Sequence, residues 1–170
     1  MGDVADNLAQ VKETMAKAMA DHFVDHPMPQ VVAVSKRFPA ERIEPLLAAG
    51  HRCFGENQVQ EAQEKWPALK ARYPDMSLHL LGPLQSNKVA AAVALFDVIE
   101  SLDREKIARR IKAEAEAHGR MPTLFVQVNT GEEQQKSGVF PKDLPAFLKV
   151  CRKELGLSIS GLMCIPPLDE

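Results

Sequence analysis

The sequence predicts an α/β protein built on a parallel sheet, and three observations carry that prediction. Short runs of β-branched and other apolar residues, such as QVVAVSK at 30–36, alternate along the chain with longer segments of helical periodicity. The first of these runs lacks in-and-out polar alternation, as a strand covered on both faces does. No linker-like stretch interrupts the alternation, so the 170 residues read as one domain.

The elements follow in order. Val4, Leu8, Val11, Met15 and Met19 recur at intervals of three or four and mark a helix over 3–22. Pro27 and Pro29 stop it. Strands are expected near 30–36, 51–55, 78–82, 97–101, 123–129 and 157–164, and helices over 39–49, 57–72, 86–95, 103–118 and 141–155. Ser86 and Asp103 stand where side chains cap helix amides, and Gly119 where a left-handed residue ends one. The polar stretch NTGEEQQKSGVFP at 129–141 leaves a strand and enters a helix, which marks an active-face loop. Two architectures fit this order: an open doubly wound sheet or a (β/α) barrel. In both, ligands gather at the carboxyl ends of the strands.

Composition narrows the function. Apolar residues at 45% and charged residues at 26% are ordinary globular usage, and 21 basic against 23 acidic side chains leave a formal charge of −2. That balance lacks the basic footprint of a nucleic-acid or polybasic membrane-surface binder, so neither partner is expected. No window reaches the roughly 18 apolar residues of a membrane span, and the acidic N-terminal residues lack a secretory h-region, so a cytoplasmic protein is expected. Cys53, Cys151 and Cys164 are odd in number and lack metal-ligand spacing; they read as reduced, mostly buried thiols, and no metal is expected. The paired Asp21-His22 and Asp25-His26 imitate a helical metal motif, but the prolines that follow make a polar helix terminus the better reading.

The strand ends supply the chemistry. No G-x-G-x-x-G follows the first strand, and neither a G-x-x-x-x-G-K-[ST] loop nor a G-x-S-x-G elbow occurs. What remains is a lysine and several amides. Lys36 leaves the apolar wall Val31–Val34, where desolvation favours the neutral, nucleophilic amine that forms imines with carbonyl compounds; a solvated strand-end lysine is the plain alternative. Asn57 offers an amide to a ligand or caps the next helix, GPLQSNK offers an anion its amides and Lys88 or simply a Ser86 cap, and His79 enters one face of its strand. Glu56 and Glu61, five apart, fall on different faces of a helix and do not make a carboxylate pair.

Taken together, AVSK at 33–36, FGENQVQE at 54–61, HLLGPLQSNK at 79–88, NTGEEQQKSG at 129–138 and GLMCIPP at 161–167 resemble the pyridoxal phosphate homeostasis protein family. The resemblance implies a TIM-type (β/α) barrel similar to the N-terminal domain of alanine racemase. It also implies Lys36 as the lysine that holds pyridoxal 5′-phosphate (PLP) as an internal aldimine, with Asn57 near the cofactor ring. Val34, His79 and Met163 are further pocket-lining candidates by their positions on the strands. The implied role is non-catalytic carriage or buffering of PLP, with PLP-dependent apoenzymes as recipients and a monomer expected. An amino-acid racemase or decarboxylase of the same barrel type is the enzyme alternative; it needs an acid or base across the ring, and Tyr73 is the only tyrosine. A cofactor-free Schiff-base aldolase is a third reading.

The family pattern continues through two further strands bearing a Ser-Met-Gly-Met-Ser and an Arg-x-Gly segment, which this sequence does not contain. About six of eight β/α units are thus expected, in a domain truncated at its C-terminus, since a full barrel takes roughly 200 to 250 residues.

Overall fold

The computed structural model describes residues 4–23 and 25–167. The expected helix start at residue 3 and the expected truncation point lie outside the described residues. The chain runs α1 (Val4–His22), β1 (Ala33–Val34), α2 (Ala40–Ala48), β2 (Cys53–Glu56), α3 (Val59–Arg72), β3 (Ser77–Leu80), α4 (Val89–Leu95), β4 (Val98–Leu102), α5 (Glu105–His118), β5 (Thr123–Val128), α6 (Leu144–Lys149) and β6 (Ile159–Cys164). All pairings are parallel, and the strand order is the chain order, β1 to β6.

That order decides between the two architectures. A doubly wound sheet reverses its strand order at a switch point, whereas a barrel adds each strand beside the last. Consecutive helices also pack on one another, α1 on α2 through α4 on α5, so they form one layer on one side of the sheet. The fold is α/β, six parallel strands in barrel sequence.

Between sheet and helices lies the apolar core. Phe54, Leu78, Leu80, Ile99, Leu124 and Val126 point from the strands into it, and Trp66, Leu69, Ile107 and Ile111 meet them from the helices. Phe54 and Trp66, both fully buried, stack tilted with ring centroids 5.1 Å apart and tie α3 to β2. The alternate strand positions face the other way. Val34, Gly55 and His79 share one register, and Phe125 with Gln127 align with Gly161 and Met163. That inner face carries the chemistry.

Several expectations are corrected. The first strand is two residues long and is not buried on both faces: Val34, on the inner face away from the helices, is 44% exposed. Neither proposed cap acts as one. Ser86 lies inside a 3₁₀ turn, Ser86–Lys88, and Asp103 accepts from the Arg104 guanidinium at 2.6 Å while α5 starts without a side-chain cap. The last helix is three helical pitches in series, a 3₁₀ turn at Pro141–Asp143, α6, and a π turn at Val150–Glu154. Gly119 does end α5 in the left-handed region, at φ 62°. The Asp21–His26 array straddles the end of α1, with Phe23 edge-on to both His22 and His26.

Candidate functional site

A cavity of about 510 Å³ opens at the carboxyl ends of the strands. Four of the five sequence-predicted residues line it: Val34 and Lys36 from the end of β1, Asn57 from beyond β2, and Met163 from β6. They converge for a simple geometric reason. Each sits an even number of positions from an inward residue of its strand, so each continues the inner face.

Lys36 differs from expectation in one respect. Its side chain is exposed at the cavity mouth, so burial does not supply the desolvation that the apolar run before it predicts. Asn57 caps nothing: α3 begins at Val59 after Gln58, with no side-chain cap. Its backbone is instead pressed against Gly82, where an added Cβ would sit 2.0 Å from the Asn57 carbonyl oxygen. That close approach is why a glycine stands before Pro83.

His79 does not line the cavity; it lies one layer deeper on the same inner face. Its Nδ1 is 2.6 Å from Glu100 Oε1, and its Nε2 lies 3.3 Å from Cys53 Sγ and 3.1 Å from Ser77 Oγ. Burial by itself would depress its pKa, but the hydrogen bonds to Cys53 and Glu100 outweigh burial and push it up to about 9. An imidazolium donating from both nitrogens follows at neutral pH.

Asn129, which opens the polar loop marked in the sequence, lines the cavity just beyond β5. Gln127 within β5, and Lys136 and Ser137 in that loop, line it without a sequence signal of their own. The polar composition of 129–141 marked that loop, but not which side chains turn inward. Asn129, 4% exposed, organises it by donating from Nδ2 to the carbonyl of Glu133 at 2.7 Å and accepting from the Glu133 amide at 3.2 Å. Lys136 pairs with Glu133 at 2.6 Å. Glu56 and Glu61 do not share a helix, contrary to the reading of their spacing. Glu56 ends β2, and both carboxyls reach the Lys65 ammonium, at 2.7 and 3.0 Å.

The cavity suits a small aromatic aldehyde. An accessible primary amine stands at its mouth, apolar walls of Val34, Leu81, Pro83 and Met163 can take a flat ring, and amides of Asn57 and Asn129 border it. Gln127, 5% exposed, keeps its Oε1 buried and without a hydrogen-bond partner among the described residues. Among the described residues no three His, Cys, Asp or Glu side chains gather as metal ligands, and no helix is long and apolar enough to cross a membrane.

Known proteins match this arrangement over nearly the whole chain. The family model for the N-terminal domain of alanine racemase matches residues 4–169. A pyridoxal phosphate homeostasis protein of Pasteurella multocida is 33% identical over 168 residues, 98% of this chain and 72% of that protein. One from Pseudomonas aeruginosa is 37% identical, over 98% of this chain and 71% of its own length. The structure of PipY from Synechococcus elongatus with PLP bound superposes with a TM-score of 0.75 and 41% identity, covering 92% of this chain and 72% of that one. An alanine racemase of Clostridium difficile, 12% identical with a TM-score of 0.65 over 90% of this chain and 39% of its own, shares the fold.

Proposed function

This chain belongs to the pyridoxal phosphate homeostasis protein family, on the fold of the alanine racemase N-terminal domain, and from that premise we propose that it binds PLP covalently through Lys36 and carries or buffers the cofactor without catalysing a reaction. The observation that carries the reading is the convergence of Lys36 and Asn57 with apolar Val34 and Met163 on one cavity at the strand ends. PLP supplies an electrophilic aldehyde when bound. The protein's part is to present an amine to it. Asn57 donates or accepts at the ring's edge, and Val34 and Met163 cover its faces.

Exposure of Lys36 favours a carrier over an enzyme. A racemase or decarboxylase closes its site and holds an acid or base across the ring. Tyr73, the only tyrosine, ends α3 with Arg52 and Arg72 stacked on its ring at 5.3 and 5.6 Å, and does not line the cavity. An open mouth suits release to PLP-dependent apoenzymes. Three free cysteines, two of them buried, fit a reducing cytoplasm.

Equilibrium titration tests the reading. PLP added to the protein should raise an imine absorbance that Lys36→Ala abolishes, and incubation with a PLP-requiring apoenzyme should restore that enzyme's activity. Assays for racemisation or decarboxylation of several amino acids should show no turnover. Turnover that disappears in Lys36→Ala would overturn the non-catalytic part; wild-type absorbance in that variant would overturn the site.

A further inference from the structure

A buried ionic cluster lies behind the strand end that presents Lys36, on the helix side of the sheet and outside the cavity. Glu56 is fully buried, and its Oε1 receives the Ser35 hydroxyl at 2.7 Å, the Trp66 indole N–H at 3.0 Å and the Lys65 ammonium at 2.7 Å. Lys65, with a side chain only 10% exposed, also meets Glu61 Oε1 at 3.0 Å. It donates to two backbone carbonyls flanking the reactive lysine, Ser35 at 2.8 Å and Phe38 at 2.9 Å. Glu61 in turn accepts the Arg37 amide at 2.6 Å.

Between those anchored atoms the backbone does something unusual. Arg37 takes φ 65°, a left-handed conformation that a side chain other than glycine adopts at a cost. The chain thus reverses direction immediately after Lys36. Burying the Glu56 carboxyl and the Lys65 ammonium, with Glu61 half-buried beside them, is expensive for stability alone, since apolar side chains of similar volume would hold α3 against β2 as well. What apolar side chains cannot do is grip two carbonyls and an amide of one turn.

We propose that Lys65, held between Glu56 and Glu61, is a positioning residue for Lys36, clamping the turn at residues 35–38 so that the amine is delivered to the cavity mouth. Its consequence for PLP rests on the function proposed above; the clamp itself does not. Ser35 from the strand and Arg37 from the turn are tied to the cluster, while Lys36 between them is left as the side chain directed to the cavity.

Two readouts separate the clamp from the PLP reading. Hydrogen exchange of the Arg37 amide needs no cofactor: Glu61→Ala should speed it about tenfold or more, as loss of one charge-assisted bond implies, with exchange in β2 to β5 unchanged. Glu61→Gln, which keeps an acceptor, should restore protection. PLP affinity by titration should fall roughly 10- to 100-fold in Glu61→Ala and Lys65→Met, as for a misplaced reacting group, and recover in Glu61→Gln. Because Lys65→Met leaves Glu56 buried without its cation and can unfold the protein, Glu61→Ala, at a side chain 27% exposed, carries the test. Unchanged Arg37 exchange in Glu61→Ala would overturn the proposal, as would wild-type PLP affinity in a folded Lys65→Met. Faster Arg37 exchange in a protein whose wild type takes up no PLP would keep the clamp and remove the cofactor.

Discussion

At the scale of single residues, Lys36 owes its candidacy to placement. An exposed amine reacts with an aldehyde when a cavity holds the aldehyde against it, and proximity alone is worth several orders of magnitude in effective concentration. His79 beneath the cavity is different: it is buried, and its partners hold the proton. Its pKa of about 9 stands above the ordinary 6.5, so the imidazolium stabilises the fold fully below about pH 6.5 and that contribution is lost as pH rises through about 9. Denaturant midpoints for the wild type should therefore fall between pH 6.5 and 9, and His79→Gln should flatten that slope; an identical slope in the variant would place the titration elsewhere. Position at the strand ends and the family resemblance made Val34, Lys36, Asn57, His79 and Met163 readable from the sequence as pocket candidates. Height along the barrel axis was not readable, because a period of two gives the side and not the layer, and so His79 falls below the site it was expected to line. Lys136 and Ser137 escaped for another reason: loop conformation after β5 is set by Asn129 bonds, which have no periodicity.

At the scale of elements, the strand–helix alternation was legible throughout, and the errors fall at ends. Helix starts were assigned to Ser86, Asp103 and Asn57 on cap chemistry, yet each of these side chains has other work or none at the cap, as with Asp103 and its neighbour Arg104. β1 was expected over 30–36 and pairs with β2 over Ala33–Val34 only. The contact between the exits of β2 and β3 makes a sharper prediction. Gly82→Ala puts a methyl against the Asn57 carbonyl, so one backbone must retreat. The cost should be about 1–3 kcal/mol in chemical denaturation, with PLP affinity reduced because Asn57 moves with its backbone. Wild-type affinity and stability in Gly82→Ala would show that the two loops separate freely.

For the whole molecule, sequential strand order gives a curved parallel sheet whose two outer strands each have one neighbour among the described residues. Val34, Phe38, Leu162 and Ile165 lie on or just beyond those strands, and each is at least 44% exposed. Such edges favour association, so the 170-residue chain should show concentration-dependent self-association in sedimentation, contrary to the monomer expected from its sequence. A monomer across the concentration range would mean the edges are protected. Barrel class was legible only when the motifs were taken together, because periodicity alone fits a doubly wound sheet equally well. The proposed function turns on covalent capture of PLP at one amine. Borohydride reduction of the protein with PLP, followed by peptide mapping, addresses it most directly: the reduced adduct should sit on Lys36 at about one per chain. No adduct, or one spread over Lys65, Lys88 and Lys136 with Lys36 unmodified, would contradict it.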